Sequence, residues 1–346
     1  MKTGKFDSRY LTLTCVASGL VGAFAAQSVT AADTDAAARE IWRTAMQKNT
    51  ASEVGCFSAE FPSYVWEKVA CKVAAPRVRP VLRLHAAEPE VTGNGNDYVA
   101  QSSGLTSEAV GTFPTVTGVT SEKGVGVAAF GGGGILGTNE YSIQLNTNFT
   151  GSTSVCAGHS GCTNWQQFIY ATDYATAGEG AVFIQYWLIG WGSSRCPSGW
   201  GSDGAGDCYR NSSITTAPDE SPLSLASYTL TGTAVAGGND TVVFNNGTRA
   251  YQVTEPDSIN DIASVWRQSE FNIVGDAGGS EAVFNKGASI TVKLALTDGS
   301  TAAPTCVADS GSTGETNNLT LGTCTAASGT SPSITFKESD RFATRV

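Results

Sequence analysis

The chain has 346 residues, 41% hydrophobic and 15% charged, so it can bury a sizeable core, which argues against global disorder. Its net charge of −10 disfavours nucleic acid and anionic membranes as partners. Two histidines, His85 and His159, are too few for a multi-histidine zinc site, and the sequence gives no sign of a metal or another cofactor.

The chain begins with a segment typical of an export signal. Three basic residues before position 10 are followed by an apolar stretch from 11 to 26, and small residues precede Ala32. This pattern predicts a signal peptide over residues 1–31. A membrane anchor is the alternative, but the stretch is short and is interrupted by Thr, Ser and Gly. No later apolar run is long enough to span a membrane, so we expect a secreted or periplasmic protein.

The cysteines of the mature chain indicate disulfide bonds. Eight remain after the predicted signal is removed, an even number in an exported chain. They fall into four local couples: Cys56 and Cys71, Cys156 and Cys162, Cys196 and Cys208, and Cys306 and Cys324. We predict that each couple forms one bond. Zinc binding is the competing interpretation, but the chain has no C-x-x-C motif.

The front segment, residues 32–95, differs from the rest of the chain. Helical spacing predicts one helix over 34–48 and a second, short helix from Ser63 to Val73. An extended basic stretch follows, with arginines at Arg77, Arg79 and Arg83. The run from Gly93 to Asn96 then predicts a linker. Basic and acidic residues balance over 32–92, so the net negative charge of the mature chain lies after them.

From residue 96 onward the pattern changes to the alternation typical of β-strands. Asn245-Asn246-Gly247 between 241–244 and 249–254 predicts a hairpin, and 290–297 alternate as a half-buried strand. Further strands are predicted at Glu108–Thr117, Tyr141–Thr147, Thr163–Tyr170, Gly180–Gly190, Ser224–Val235 and Ala263–Asn272. About a dozen strands without intervening helices predict an all-β domain over 96–346. We expect a two-sheet antiparallel β-sandwich of the jelly-roll or concanavalin-like type.

Motifs of several enzyme classes are absent. The chain has no G-x-S-x-G, no H-E-x-x-H and no Walker A sequence. His159 lies in a short glycine-rich loop between Cys156 and Cys162, so we predict a surface position rather than a catalytic role.

Aromatic and amide residues concentrate at 163–170 and 182–191, which fall on two consecutive predicted strands. Alternation puts Gln185 and Trp187 on one face of the second strand and Tyr186 on the other. An amide among aromatic rings suits polymer binding, but the same pattern also fits an ordinary sandwich core.

The order of segments resembles the glutamic peptidase (eqolisin) family, secreted acid proteases with a double-sheet β-sandwich, over about residues 96–300. Residues 96–100 and 108–113 are similar to that family's opening strand and "SGTF" stretch. The hairpin at 242–248 resembles "V-x-N-x-T-G", and Ser-Glu-Phe-Asn-Ile-Val at 269–274 resembles "A-E-W-I-V". The family's "W-V-G-I-D-G" strand is missing, and residues 141–146 would take its place.

The resemblance implies a catalytic pair. Glu270 takes the position of the family's catalytic glutamate, and Gln167, or next Gln166, takes that of its catalytic glutamine. Substrate would then be bound at Gln166, Gln185, Tyr186 and Trp187. An ionised glutamate can act as a general base and an amide can stabilise an oxyanion, without metal or cofactor. We expect Glu270 to keep an ordinary pKa of about 4.

These features predict a secreted, monomeric, acid-acting endopeptidase whose substrate is a polypeptide, with residues 32–95 as a candidate inhibitory propeptide. The alternative is a non-catalytic sandwich that binds a polysaccharide or another polymer through Trp165, Trp187 and Trp191. A structural protein with an inert cleft is the third hypothesis. A buried, fully satisfied region around Gln167 and Glu270 would favour that third hypothesis.

Overall fold

The computed structural model describes residues 31–73, 91–149, 151–192 and 195–340. The predicted signal peptide, apart from Ala31, and the basic stretch with Arg77, Arg79 and Arg83 lie outside the described residues.

The described residues form one α-helix, five short 3₁₀ helices and 24 β-strands. The α-helix is Ala31–Lys48 (α1), and the 3₁₀ helices are Ala128–Phe130, Ser154–Cys156, Pro222–Ser227, Asp257–Ile259 and Ile262–Ser264. The first twelve strands are Gly55–Glu60 (β1), Glu67–Val69 (β2), Lys72–Val73 (β3), Val91–Gly93 (β4), Val99–Gln101 (β5), Glu108–Thr117 (β6), Glu122–Gly126 (β7), Gly137–Thr138 (β8), Ser142–Asn146 (β9), Thr163–Thr176 (β10), Glu179–Ile189 (β11) and Gly201–Ser202 (β12). The other twelve are Cys208–Asn211 (β13), Ser213–Pro218 (β14), Thr229–Ala234 (β15), Asn239–Asn245 (β16), Arg249–Pro256 (β17), Gln268–Val274 (β18), Ser280–Phe284 (β19), Ser289–Thr297 (β20), Thr305–Val307 (β21), Thr316–Leu321 (β22), Thr325–Ala327 (β23) and Ser333–Ser339 (β24).

The strands form two sheets, which confirms the predicted all-β sandwich. The larger sheet has the order β2-β1-β17-β16-β15-β6-β20-β24-β22-β19-β7-β8, with β23 beside β24 and β4 beside β22. The smaller sheet has the order β12-β13-β11-β10-β9-β18-β5-β21, with β14 beside β11 and β3 beside β14. The described pairs are antiparallel except β19 with β22, which run parallel.

Glycines let aromatic rings of the smaller sheet pack closely against the larger one. A Cβ atom on Gly111 would lie 2.1 Å from a ring carbon of Phe271, and one on Gly232 would lie 2.4 Å from the ring of Phe168. The side chains of Phe168 and Phe271 therefore point between the sheets. Because side chains alternate along a strand, their neighbours on β10 and β18 point to the opposite face.

We expect Gly111→Ala to lower the free energy of unfolding by about 1–3 kcal/mol, because the added methyl group overpacks the core against Phe271. Urea unfolding measures the change. Gly133→Ala is the control, since the nearest atom to its Cβ would lie 3.4 Å away. A loss no larger than the control's would show that Phe271 moves aside without cost.

The predicted strands largely match the observed ones. The hairpin at Asn245-Asn246-Gly247 is confirmed by the pairing of β16 with β17. Two predicted strands begin too early. Residues 224–227 belong to a 3₁₀ helix before β15, and Ile262–Ser264 form another before β18.

In the front segment, α1 confirms the first predicted helix. It packs Trp42 and Met46 against Ala59, Val243 and Ala250, on the outer face of the larger sheet. The second predicted helix was wrong. Residues 67–69 instead pair with β1 as a strand, and Val73 is 91% exposed. The partly buried Val69 packs against the main core from this strand.

The predicted linker at Gly93–Asn96 is a tight turn between β4 and β5. The amide of Asn96 donates to the carbonyl of Gly93 at 3.0 Å, and Asn94 is buried. Val91–Gly93 also pairs with β22, so this part of the front segment is built into the larger sheet.

Four disulfide bonds join the cysteines in sequential couples, as the spacing predicted: Cys56–Cys71, Cys156–Cys162, Cys196–Cys208 and Cys306–Cys324. Their Cα separations range from 5.4 to 6.2 Å, within the range that a disulfide requires. In the described part of the chain, no helix has both the length and the apolar character needed to cross a bilayer.

Candidate functional site

A row of polar side chains crosses five strands of the smaller sheet. Cross-strand pairing aligns one residue from each of β18, β9, β10, β11 and β13: Glu270, Asn146, Gln167, Gln185 and Asn211. We call these residues the polar row. They lie on the outer face of the sheet, because Phe271 and Phe168 on neighbouring positions point between the sheets.

Glu270 is held by one carboxylate oxygen. Its Oε2 accepts hydrogen bonds from the amide of Ser312 at 2.6 Å, the hydroxyl of Ser312 at 2.8 Å, the amide of Thr313 at 3.2 Å and Nδ2 of Asn146 at 3.2 Å. Its Oε1 is buried and has no hydrogen-bond partner among the described residues. The carboxylate is therefore oriented by Oε2, and Oε1 keeps its lone pairs free.

Burial raises the pKa of Glu270 above its ordinary value of 4.5, although the hydrogen bonds from Ser312, Asn146 and Thr313 oppose the shift. Removal from water disfavours the charged form of a carboxyl, while donors to the carboxylate favour it. The pKa of Glu270 is therefore higher than the ordinary value expected from the sequence.

Gln167 is oriented by partners at both ends of its amide. Its Nε2 donates to Oε1 of Gln144 at 3.0 Å and to Oδ1 of Asn146 at 3.1 Å. Its Oε1 accepts from the indole Nε1 of Trp187 at 3.1 Å, and that same indole donates to Oε1 of Gln185 at 2.9 Å. The amide nitrogen of Gln167 therefore points along the row towards Glu270.

Asn146 connects the two candidate catalytic residues. It donates from Nδ2 to Glu270 and accepts at Oδ1 from Gln167. It lies on β9, which runs between β10 and β18, so Gln167 and Glu270 do not touch directly. Asn146 was not among the site residues predicted from the sequence. The available signal was its place at the end of the segment that substitutes for the missing family strand.

A polar segment, residues 311–315, covers Glu270. All five of its residues are buried, and besides the bonds to Glu270 its Thr313 hydroxyl donates to Oε1 of Gln144 at 2.7 Å. The hydroxyl of Ser312 accepts from the indole of Trp165 at 3.1 Å. A Cβ atom on Gly311 would lie 2.7 Å from Oε1 of Glu270. We call residues 311–315 the cover.

Two further carboxyls lie beside Glu270. Asn272 donates to Asp97 at 3.0 Å and to Glu338 at 3.3 Å, and the hydroxyl of Thr92 also donates to Glu338. Burial, and then the charges of Glu270 and Glu338, hold the pKa of Asp97 well above its ordinary value. Burial raises the pKa of Glu338 to about 7. In the described part of the chain, no ion pair neutralises these three carboxyls.

The pKa of Glu338 predicts a loss of stability as the pH rises. Its folded pKa of about 7 exceeds the ordinary 4.5, so its stabilising effect is complete below pH 4.5 and is lost as the pH rises through 7. The free energy of unfolding should therefore fall by about 3 kcal/mol over this pH range.

Urea unfolding between pH 4 and pH 8 should show this fall in the wild type and a smaller fall in Glu338→Gln. A Glu67→Gln variant, changed at an exposed side chain, should keep the wild-type slope. Equal slopes in all three proteins would contradict the prediction.

The structure brings together some of the residues predicted for substrate binding and not others. Gln185 and Trp187 lie in or beside the polar row. Gln166 instead points between the sheets and donates to Oδ2 of Asp240 at 2.9 Å, and Tyr186 belongs to the core. Both lie on the opposite face because each is one position from a residue of the row.

The three tryptophans proposed for polymer binding do not share one exposed surface. Trp165 and Trp187 are fully buried, with their ring centroids 5.9 Å apart. Trp191 is partly buried and stacks on the ring of His159, whose half-buried position fits the predicted surface loop. No two of these tryptophans therefore form an exposed aromatic platform.

A small cavity of about 30 Å³ adjoins Gln167. Its lining includes Gln144, Phe183, Gln185, Asp276 and Glu315. That volume holds a water molecule or a group of similar size. Within the described residues, no group of three or more His, Cys, Asp or Glu side chains is arranged to hold a metal ion.

No protein-family model matches the chain, and no curated protein matches it. A solved structure of SCP-B, described as a member of the eqolisin family of peptidases in a complex with the tripeptide Ala-Ile-His, is similar with a TM-score of 0.24. The identity is 11%, over 70% of this chain and 97% of that chain. At this TM-score the likeness carries no conclusion about the site.

Proposed function

We propose that the protein is an acid-acting endopeptidase of the glutamic type, with Glu270 as general base and Gln167 as oxyanion donor. One observation carries the proposal: Glu270 has one oxygen fixed by four donors and one without a partner, in the same row as an oriented glutamine amide. A general base needs a free lone pair in a fixed position, and this arrangement supplies it.

The chemistry uses only these groups, a water molecule and the peptide. Oε1 of ionised Glu270 takes a proton from the water while the oxygen of that water bonds to the scissile carbonyl carbon. An N–H of Gln167 donates to the oxyanion that forms. The protonated Glu270 then passes its proton to the amide nitrogen as the C–N bond breaks, which regenerates the carboxylate and releases an acid and an amine.

Two contacts must change before a peptide can react. The cover must leave Oε1 of Glu270, because residues 311–315 fill the space beside it. An N–H of Gln167 must also exchange Gln144 or Asn146 for the substrate's oxygen. A peptide backbone offers the same donors and acceptors as the cover, so these hydrogen bonds can be replaced in kind.

Export, the monomeric state and a polypeptide substrate belong to the same proposal, as does a propeptide role for residues 32–95. The disulfide bonds support an oxidising compartment. Thr92 supports a functional link between the front segment and the site, since its hydroxyl reaches Glu338.

A non-catalytic role is the second candidate, and the burial of the site favours it. Gln167 is 3% exposed and Glu270 is 1% exposed, and the amide of Gln167 is fully bonded. A polar row of this kind can have a purely structural role, in which its hydrogen bonds join neighbouring strands. The buried Trp165 and Trp187 give no support to the polysaccharide alternative.

The test is hydrolysis of a denatured protein between pH 2 and pH 7 by the wild type and by Glu270→Gln. Hydrolysis that depends on Glu270 supports the peptidase, and an inactive but folded wild type supports the non-catalytic role.

A further inference from the structure

We propose that Asn146 is a positioning residue, which holds Glu270 and Gln167 in a single arrangement. The inference rests on the proposed function. It concerns a residue that touches both catalytic groups in the resting protein, through a donor at one end of its amide and an acceptor at the other.

The position of β9 makes such a bridge necessary. Neighbouring strands lie about 4.8 Å apart, so the backbones of β10 and β18 are about 10 Å from each other. The facing side chains of Gln167 and Glu270 therefore depend on the residue between them for their relative position. Cross-strand pairing places Asn146 opposite both of them.

The chemistry of the neighbours fixes the amide of Asn146. An ionised carboxylate only accepts hydrogen bonds, so Nδ2 must face Glu270 and Oδ1 must face Gln167. Trp187 fixes the other end of Gln167 by donating to its Oε1. Asn146 thus keeps a Gln167 N–H directed towards Glu270 and keeps Oε2 of Glu270 bonded, which leaves Oε1 for the water.

Replacing Asn146 by aspartate separates its contact with Gln167 from its contact with Glu270. The new carboxylate can still accept from Gln167, but it cannot donate to Glu270 and it places a like charge beside it. Among the described residues, the other titratable groups around Glu270 are Asp97 before β5, Glu338 on β24 and Glu315 in the cover. All three are acidic, so none of them offsets the added charge, and Glu270 should hold its proton to a higher pH.

The experiment compares Asn146→Asp with Asn245→Asp in the full chain. Asn245 is as buried as Asn146 but lies on β16 of the larger sheet, and its Oδ1 accepts from the amide of Gly247 at 2.7 Å, so an aspartate there keeps that bond. Carboxyl ¹³C NMR titration follows Glu270, with its signal assigned by Glu270→Gln. Peptide hydrolysis gives kcat and KM as functions of pH.

In Asn146→Asp we expect the titration of Glu270 and the acidic limb of the kcat profile to move up together by about one pH unit or more. We also expect kcat to fall about tenfold or more, with KM changed less than threefold. Asn245→Asp should match the wild type in all three measurements.

An unchanged titration of Glu270 in Asn146→Asp would overturn the inference, as would an equal change in Asn245→Asp. If Asn146→Asp does not fold, Asn146→Ala is the deciding variant. Loss of the donor alone should also raise the pH at which Glu270 titrates. The NMR titration does not depend on turnover. If Asn146→Asp shifts the titration of Glu270 but the wild type hydrolyses no peptide, the peptidase is refuted and the bridge from Asn146 to Glu270 stands.

Discussion

Glu270→Gln should abolish peptide hydrolysis while the protein remains folded. The substitution removes the general base with little change in volume. The carbonyl oxygen of the glutamine can still accept from Ser312 and Thr313, and its amide group takes the place of the unpartnered Oε1. Loss of the charge also relieves repulsion with Asp97, so the free energy of unfolding should not fall.

The measurement is the release of peptides from a denatured protein across pH 2–7, together with urea unfolding of each variant. In the wild type, the rate should rise with pH through the raised pKa of Glu270, because the base works only when ionised. It should fall again as Glu338 ionises near pH 7 and destabilises the fold. Wild-type turnover by Glu270→Gln would remove this residue from the mechanism.

Gln167→Ala should lower kcat about a hundredfold or more, because it removes the donor to the oxyanion. The substitution leaves the indole of Trp187 with Gln185 as its acceptor, and Oε1 of Gln144 with the hydroxyl of Thr313 as its donor. Oδ1 of Asn146 loses its donor, which costs about 1–3 kcal/mol, and the fold should survive this loss.

Gln166→Ala is the matched control for Gln167→Ala. Its side chain is equally buried but faces the other sheet, where it donates to Asp240. We expect this variant to lose stability and to keep its kcat. A fall in kcat that is equal in both variants would mean that general loosening of β10, rather than loss of an oxyanion donor, slows the reaction.

Alternation along single strands predicted much of this site. It placed Gln185 with Trp187 on one face and predicted the sandwich, because a strand's two faces follow from its own residues. The same rule separates Gln166 from the row, although the resemblance offered Gln166 and Tyr186 as binding residues. Short periodic patterns thus predict faces, and they do not say which face carries the chemistry.

Contacts between distant segments could not be predicted from such patterns. Asn146 meets Glu270 only because β9 pairs with β18, more than a hundred residues later, and no local feature specifies that neighbour. The cover reads Gly-Ser-Thr-Gly-Glu, a composition that is typical of an exposed loop. Its burial follows from hydrogen bonds to Glu270 and Gln144, which compensate for its lack of apolar side chains.

The cover is also tethered. It lies in the stretch closed by the Cys306–Cys324 bond, and it connects β21 of the smaller sheet directly to β22 of the larger one. Because β21 and β22 are held in their sheets, a movement of the cover that exposes Glu270 is limited by the length of the segment between these two strands. It can occur without separating the sheets. Exposure of the carboxylate is thereby a local event, whose amplitude is set by the length of a loop and not by the stability of the whole fold.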